Sequence, residues 1–129
     1  MDIQGCSHYF LSSITGLPFE SEANLRARGT ARTPDILLRT PVAILDRGQW
    51  KIINWIDSKA LFGDVTTHQQ SVVPQAESYL HRFGPGLIVY WLGHAPLSLL
   101  QPDGKSEIVI DFALPRQFML PTGEILHRP

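Results

Sequence analysis

The stretch that decides the fold runs from Thr33 to Lys59 and reads TPDILLRTPVAILDRGQWKIINWIDSK. Two apolar, β-branched runs flank the turn-forming residues Asp46-Arg47-Gly48, which is the pattern of strand, turn and strand. We therefore predict an antiparallel hairpin. Because Asp35 and Asp57 each lie about eleven residues from the turn, this hairpin would place both at its open end, facing one cleft.

The two carboxylates are the main chemical feature of this hairpin. Side by side they repel each other, so one would be partly protonated unless a hard divalent cation such as Mg²⁺ or Mn²⁺ bound their oxygens. Lys59 has the same strand parity as Asp57, so its ammonium can steady an attacking hydroxide or a developing phosphorane charge. The simpler alternatives are a turn role for Asp35 after Pro34, and an exposed Asp57–Lys59 ion pair worth at most about 1 kcal/mol.

Sequence periodicity assigns elements to the rest of the chain. Residues 20–28 predict a short helix, because acids precede bases as the helix dipole favours. The apolar stripe in residues 71–83 predicts a second helix with Pro74 in its first turn. The glycine-flanked run 87–92 predicts a central strand covered on both faces, and residues 106–112 predict a further strand. This order of elements favours an α/β or α+β sheet domain.

Length and composition indicate one domain. The chain has 129 residues, of which 43% are apolar, enough for a single core. We expect the domain to span residues 20–113, between an irregular N-terminal remnant, 1–19, and an irregular tail, 114–129. The formal charge of −1 excludes a global positive field that would attract nucleic acid or an anionic membrane. We find no membrane span or secretory signal, and the single cysteine, Cys6, suits an intracellular chain.

Several short motifs carry a resemblance to a known family. Pro34-Asp35 followed by Asp57-Ser58-Lys59 has the spelling of the PD-(D/E)xK nuclease superfamily, which by itself is a weak signal. More specific motifs are LRARG at 25–29, RTPD at 32–35, WIDSKA at 55–60, FGD at 62–64 and RFGPGL at 82–87. Together they closely resemble the TPD-motif family, which comprises the codanin-interacting nuclease and archaeal relatives, over roughly residues 19–93.

The resemblance implies a fold and an activity. The implied fold is an α/β, restriction-endonuclease-like mixed sheet flanked by helices, similar to archaeal Holliday junction resolvases. The implied activity is hydrolysis of phosphodiester bonds of DNA or RNA with Mg²⁺ or Mn²⁺. Asp35 matches the first metal ligand, Asp57 the second acidic ligand and Lys59 the motif lysine. The carbonyl of Ser58 would share in holding the cation.

Other residues match the family more loosely. Gln75 and Tyr79 resemble the Gln-x-x-x-Tyr motif of RecB-type nucleases, with Gln75 orienting the nucleophile or a phosphate oxygen and Tyr79 contacting nucleic acid. Glu22 and His68 fall on family positions and are secondary candidates. The alternative for His68 is a polar surface group, because no second histidine or cysteine accompanies it at metal-ligand spacing. Three arginines either grip phosphates or solvate a helix and a loop, namely Arg26, Arg28 and Arg32.

Family members also carry a longer region upstream of the first strand, often with an acidic residue that completes the metal site. Here 34 residues precede Asp35, so the resemblance implies a domain shortened at its N-terminus. The rival function is a catalytically inactive nuclease-fold module that binds a protein or nucleic acid. Implied partners are nucleic acid, a codanin-like protein in a eukaryote and a second copy of the chain, in the nucleus or cytoplasm. Acid/base hydrolysis by the two carboxylates without a metal is a third alternative. The sequence disfavours it, because neither carboxylate has an obvious apolar pocket that would raise its pKa.

Overall fold

The computed structural model describes residues 33–104 and 106–128, together with the backbone of Phe19–Ser21. The strands of its sheet are β1 Phe19–Ser21, β2 Ile36–Asp46, β3 Gln49–Lys59, β4 Gly86–Tyr90, β5 Ile108–Asp111, β6 Gln117–Met119 and β7 Ile125–His127. The helical segments are α1 Val65–Thr67, a π-helix at His68–Val72, α2 Val73–Phe83 and α3 Leu97–Leu100.

The seven strands form one open, mixed sheet. Their order is β5-β4-β3-β2-β6-β7, and β1 pairs with the same edge of β2 that β6 uses. β3, β4 and β5 are parallel to one another, whereas the other neighbouring pairs are antiparallel. The predicted α/β fold is confirmed. β4 is buried along its whole length as expected, but it lies second from the edge, because β2 and β3 occupy the middle.

The predicted hairpin is confirmed, and a change of register within it brings the two aspartates together. Near the turn, Asp46 pairs with Gln49. If that register continued unbroken, Asp35 would lie opposite Ala60. The register shifts between positions 37 and 42 of β2. Beyond the shift, Ile36 pairs with Ile56, and continuing this register by one residue places Asp35 opposite Asp57.

Pro41 lies inside the segment where the register shifts. Proline has no backbone N–H to donate to a neighbouring strand, so within sheets it is accommodated at edges and bulges. An irregularity in one strand changes which residues face each other beyond it. The proline in the middle of β2 therefore helps to set the spacing of the candidate site.

The predicted helix over 71–83 is confirmed, but helical structure begins earlier, at Val65. Asp64 caps this beginning by accepting a hydrogen bond from the Thr67 amide at 3.1 Å. Pro74 cannot donate to the carbonyl four residues before it. The π-helix ends at Val72, two residues before this proline, and its wider turn accommodates the missing donor.

Both faces of the sheet contribute to the core, whereas Leu45, Trp50 and Ile52 near the hairpin turn are exposed. The first face belongs to a core cluster with Ile36, Leu38, Val42, Ile44, Ile53, Ile56, Leu87, Val89, Val109, Leu114 and Phe118. The second face packs against the helical segments through Trp55, Val72, Ala76, Tyr79, Ile88, Tyr90, Leu100, Ile108 and Ile110. Asp57 and Lys59 pair with Ile88 and Tyr90 of the second face, so they lie on the side that carries α2.

The segment between α2 and β4 fits closely against Trp55. The Trp55 indole Nε1 donates to the Gly84 carbonyl at 2.7 Å, and its ring meets Tyr79 edge to face at 5.3 Å between centroids. A Cβ atom on Gly86 would lie 2.0 Å from the Trp55 ring. Gly84 has a φ of 92°, which favours glycine. The glycines of the RFGPGL motif therefore let β4 approach β3.

Two expectations about the ends of the chain are wrong. Residues 114–129 are not an irregular tail, because they contain β6 and β7, and Phe118 is fully buried. The proline-rich composition hid two strands of only three residues. The backbone of Glu20 and Ser21 lies in β1 instead of a helix, because pairing with β2 overrides the favourable charge order. Residues 22–28 of that predicted helix lie outside the described residues.

Within the described ranges, no helix is long and apolar enough to cross a membrane.

Candidate active site

Asp35 stands at a bend directly before β2, and its side chain is almost completely buried. Its Oδ2 accepts two hydrogen bonds from Ser58, one from the amide at 2.8 Å and one from the hydroxyl at 2.9 Å. These donors fix the carboxylate against the end of β3. The alternative that Asp35 is only a turn residue after Pro34 does not explain why its buried carboxylate is hydrogen-bonded to Ser58 on the neighbouring strand.

Asp57 and Lys59 complete a connected group of side chains. The Asp35 amide donates to Asp57 Oδ1 at 3.1 Å, and Lys59 Nζ lies 2.9 Å from Asp57 Oδ2. Lys59 also donates to the Gln75 side-chain oxygen on α2. Asp57 is 5% exposed, so this ion pair is not the solvent-exposed pair of the simpler alternative. The structure thus brings together five of the predicted residues, namely Asp35, Asp57, Ser58, Lys59 and Gln75.

The electrostatics of the group centre on Asp57. Burial, followed by the negative charge of Asp35, raises the pKa of Asp57 from 3.8 to about 6. The ammonium of Lys59 opposes this rise without cancelling it. Loss of water around a carboxylate favours its neutral form, and a second carboxylate nearby acts in the same direction. The expectation that neither carboxylate has surroundings that raise its pKa is therefore wrong for Asp57.

The donor set fits a hard divalent cation. Carboxylate and carbonyl oxygens are the ligands that Mg²⁺ and Mn²⁺ prefer, and a cation would offset the burial and the repulsion from Asp35 that together raise the Asp57 pKa. The Ser58 N–H points to Asp35, and the carbonyl of a strand residue points to the same edge as its N–H, so the Ser58 carbonyl is a candidate third oxygen. Within residues 33–104 and 106–128, however, no group of three or more His, Cys, Asp or Glu side chains could hold a metal.

Tyr79 has a different place from the one predicted. It is 1% exposed, and its ring packs edge to face against Trp55. Its hydroxyl donates to the Thr33 carbonyl at 2.8 Å, which ties α2 to the loop before Asp35. These contacts give Tyr79 a structural role and do not support its predicted contact with nucleic acid. Helical spacing alone could not tell a buried tether from an exposed contact.

His68 is buried and not a surface group. Its Nδ1 lies 2.7 Å from the Tyr90 hydroxyl, and it borders a cavity of about 570 Å³ beside α2. Burial and the neighbouring His94 lower the pKa of His68 below its ordinary 6.5. None of its described hydrogen bonds reaches Asp35 or Asp57. The described hydrogen bond of His68 therefore links it to Tyr90 and not to the acidic pair.

Four of the expected residues cannot be placed. The secondary acid Glu22 and the three arginines Arg26, Arg28 and Arg32 lie outside the described residues. One group that the sequence analysis did not single out is the side chain of Thr33. Its hydroxyl is buried and has no hydrogen-bond partner among the described residues. The only sequence clue to it is its position in the RTPD motif.

Comparison with known proteins gives a consistent assignment. The family model described as "Protein of unknown function TPD sequence-motif" matches residues 10–112. The chain is similar to the CDAN1-interacting nuclease 1 of Gallus gallus, at 43% identity over 68% of this chain and 31% of the relative. The Homo sapiens and Danio rerio proteins of the same name are 48% and 46% identical over 60% of this chain, covering 26% and 24% of their own lengths.

The chain spans about a quarter to a third of the length of these curated relatives. No solved structure matches it significantly. The family match covers most of the chain, including every residue of the acidic group and the helix that supports it. The chain therefore belongs to the family defined by the TPD sequence motif.

Proposed function

We propose that this chain is a metal-dependent nuclease domain that hydrolyses phosphodiester bonds of DNA or RNA, within the PD-(D/E)xK superfamily. The observation that carries the proposal is the buried pair Asp35 and Asp57, held together by a direct hydrogen bond and accompanied by a lysine. Burying two neighbouring carboxylates is unfavourable for stability alone, because each charge loses its water. The names of the curated relatives as nucleases support the same activity.

The residues of the chain have distinct roles in this proposal. Asp35, Asp57 and the Ser58 carbonyl would hold Mg²⁺ or Mn²⁺, which when bound polarises a phosphate and acidifies a water. Ser58 positions Asp35 through its amide and hydroxyl. Lys59 places a positive charge beside Asp57, where it can steady an incoming hydroxide or the charge that develops on phosphorus.

Gln75 positions the lysine. It accepts a hydrogen bond from Lys59 Nζ from the adjacent helix α2, and so restricts a long, flexible side chain to one orientation. Restricting a reacting group before the substrate arrives lowers the entropy lost in the transition state. Hydrolysis then breaks one P–O bond of the backbone as a water oxygen bonds to phosphorus, and the departing oxygen takes up a proton.

The test is a cleavage assay with matched lysine variants. Purified protein is incubated with labelled single-stranded, duplex, flapped and four-way DNA and with RNA, in Mn²⁺, Mg²⁺ or EDTA. We expect cleavage that needs the metal and that falls by at least about 100-fold in Lys59→Ala. Lys51→Ala is the control, because Lys51 pairs with Asp46 near the hairpin turn. Equal cleavage by Lys59→Ala, or cleavage in EDTA, would contradict the proposal.

A second candidate function is a binding module that has kept the nuclease fold without the activity. The observation in its favour is that the described part of the chain offers two carboxylates to a metal and no third His, Cys, Asp or Glu beside them. Calorimetry with Mn²⁺ separates the two functions. Stoichiometric binding that is lost in Asp35→Asn supports the nuclease, whereas no binding by folded wild-type protein supports the module.

We also propose a codanin-like protein as a partner. The proposal rests on the names of the curated relatives, which describe them as CDAN1-interacting. Because the chain matches only part of those proteins, the interaction is tested directly with purified codanin by co-sedimentation. Absence of a complex at micromolar concentrations would place the interaction in the part of the relatives that this chain does not match.

A further inference from the structure

The loop before β2 contains a polar group that the proposed reaction has not used. Thr33 is 4% exposed, and its Oγ1 has no hydrogen-bond partner in the described structure. A buried hydroxyl without a partner destabilises a protein, because it has lost its hydrogen bonds to water and gained none. Such groups are rare and call for a specific explanation, of which a role in binding is one.

The position of this hydroxyl favours a role in binding. Within the described residues, the two other buried polar atoms without a partner, on Trp91 and His94, lie past the end of β4. Thr33, in contrast, is two residues from Asp35, so the two Cα atoms are at most about 7.6 Å apart. The unpaired hydroxyl therefore belongs to the same loop as the first proposed metal ligand.

The backbone on both sides of the hydroxyl is held firmly. The Thr33 carbonyl accepts from the buried Tyr79 hydroxyl at 2.8 Å. The Asp35 amide donates to Asp57 Oδ1 at 3.1 Å. These contacts restrain the backbone of the loop on either side of Pro34. Among the described residues, this loop therefore carries a buried hydroxyl without a partner two residues before Asp35.

The chemistry of the surroundings narrows the kind of ligand. A hydroxyl both donates and accepts, but an oxygen of a phosphodiester only accepts. A neutral donor can approach a phosphate next to two aspartates without adding charge to the site. We propose that the Thr33 hydroxyl is a substrate-binding group, which donates a hydrogen bond to a phosphate oxygen of the nucleic-acid backbone. This assignment rests on the proposed nuclease function.

Two substitutions separate binding from support of the fold. Thr33→Val removes the hydroxyl and keeps the shape of the side chain, whereas Thr33→Ser keeps the hydroxyl. In urea unfolding with EDTA, we expect Thr33→Val to be at least as stable as the wild type, because an unpaired polar group is removed. A lower unfolding midpoint for Thr33→Val would overturn the proposal, since it would show that the hydroxyl has a partner in the folded protein.

Binding is measured with a fluorescent oligonucleotide in Mn²⁺, in a Lys59→Ala background that prevents cleavage. We expect Thr33→Val to weaken the binding of the oligonucleotide about tenfold, as for a hydrogen bond to a charged acceptor, and Thr33→Ser to stay within about twofold. Calorimetry with Mn²⁺ alone should give the same affinity for all three proteins. Equal oligonucleotide binding by Thr33→Val would overturn the assignment.

The remaining outcomes also decide. If Thr33→Val already binds Mn²⁺ alone more weakly, the hydroxyl supports the metal site and does not contact a substrate phosphate. That result would overturn its assignment as a substrate-binding group. If protein with an intact Thr33 binds neither Mn²⁺ nor oligonucleotide, the nuclease proposal fails and the Thr33 assignment fails with it. Suppose instead that protein with an intact Thr33 binds both Mn²⁺ and the oligonucleotide, but that Thr33→Val and Thr33→Ser bind the oligonucleotide equally well. The nuclease proposal then stands, and only the Thr33 assignment is wrong.

Discussion

Replacing Asp57 with asparagine should make the protein more stable at neutral pH and less dependent on pH. The pKa of Asp57 is raised from 3.8 to about 6 in the folded protein. Between these values the folded state keeps a proton that the unfolded chain has lost, so stability falls as the pH rises. A shift of about two pKa units corresponds to roughly 3 kcal/mol of stability lost once the pH exceeds 6.

The assay is urea unfolding of the wild type and Asp57→Asn, in EDTA, at about pH 4 and about pH 8. The advantage of Asp57→Asn should grow by roughly 2 to 3 kcal/mol between these two conditions, because part of the ionisation cost is already present at pH 4. Glu124→Gln, at an exposed residue near β7, controls for the loss of one carboxylate. An advantage of Asp57→Asn that does not change with pH would refute the reasoning.

The other predictions concern the packing that supports the site, and urea unfolding checks each of them. Tyr79→Phe leaves the buried Thr33 carbonyl without its donor and should cost about 1 to 2 kcal/mol; no loss would show that the tether is not formed. Gly86→Ala forces a Cβ to within 2.0 Å of the Trp55 ring and should cost about 3 kcal/mol or more. Phe118→Ala should cost about 3 to 5 kcal/mol if β6 belongs to the core, and a loss below about 1 kcal/mol would contradict that.

The hairpin could be predicted from the sequence because its information is local. Alternating and β-branched residues on either side of Asp46-Arg47-Gly48 specify two strands and a turn. The meeting of Asp35 and Asp57 was predicted correctly, but the prediction did not include its cause. An unbroken register would have set Asp35 opposite Ala60, and only the shift around Pro41 corrects this. Sequence shows that a proline is present but not how many residues a bulge will take up.

Contacts between distant parts of the chain account for what the sequence analysis missed. The sequence predicted that Lys59 lies on the same face of its strand as Asp57, because strand side chains alternate with a period of two. It also predicted the helix that carries Gln75, because helical side chains repeat with a period of 3.6. Whether Tyr79 faces solvent or Thr33 depends on how α2 packs on the sheet, which no local pattern encodes. The burial of His68 beside Tyr90 has the same origin. A strand of three residues such as β6 is too short for its sequence pattern to identify it, and it is defined by its pairing with β2 and β7.

The shared edge of β2 has a practical consequence for making the protein. β1 covers one part of this edge and β6 covers another, at Ala43 and Ile44. A recombinant fragment trimmed to the family match, which ends at residue 112, would lack β6 and its buried phenylalanine. Its uncovered backbone amides and carbonyls would then be free to pair with other molecules, so such a fragment should aggregate.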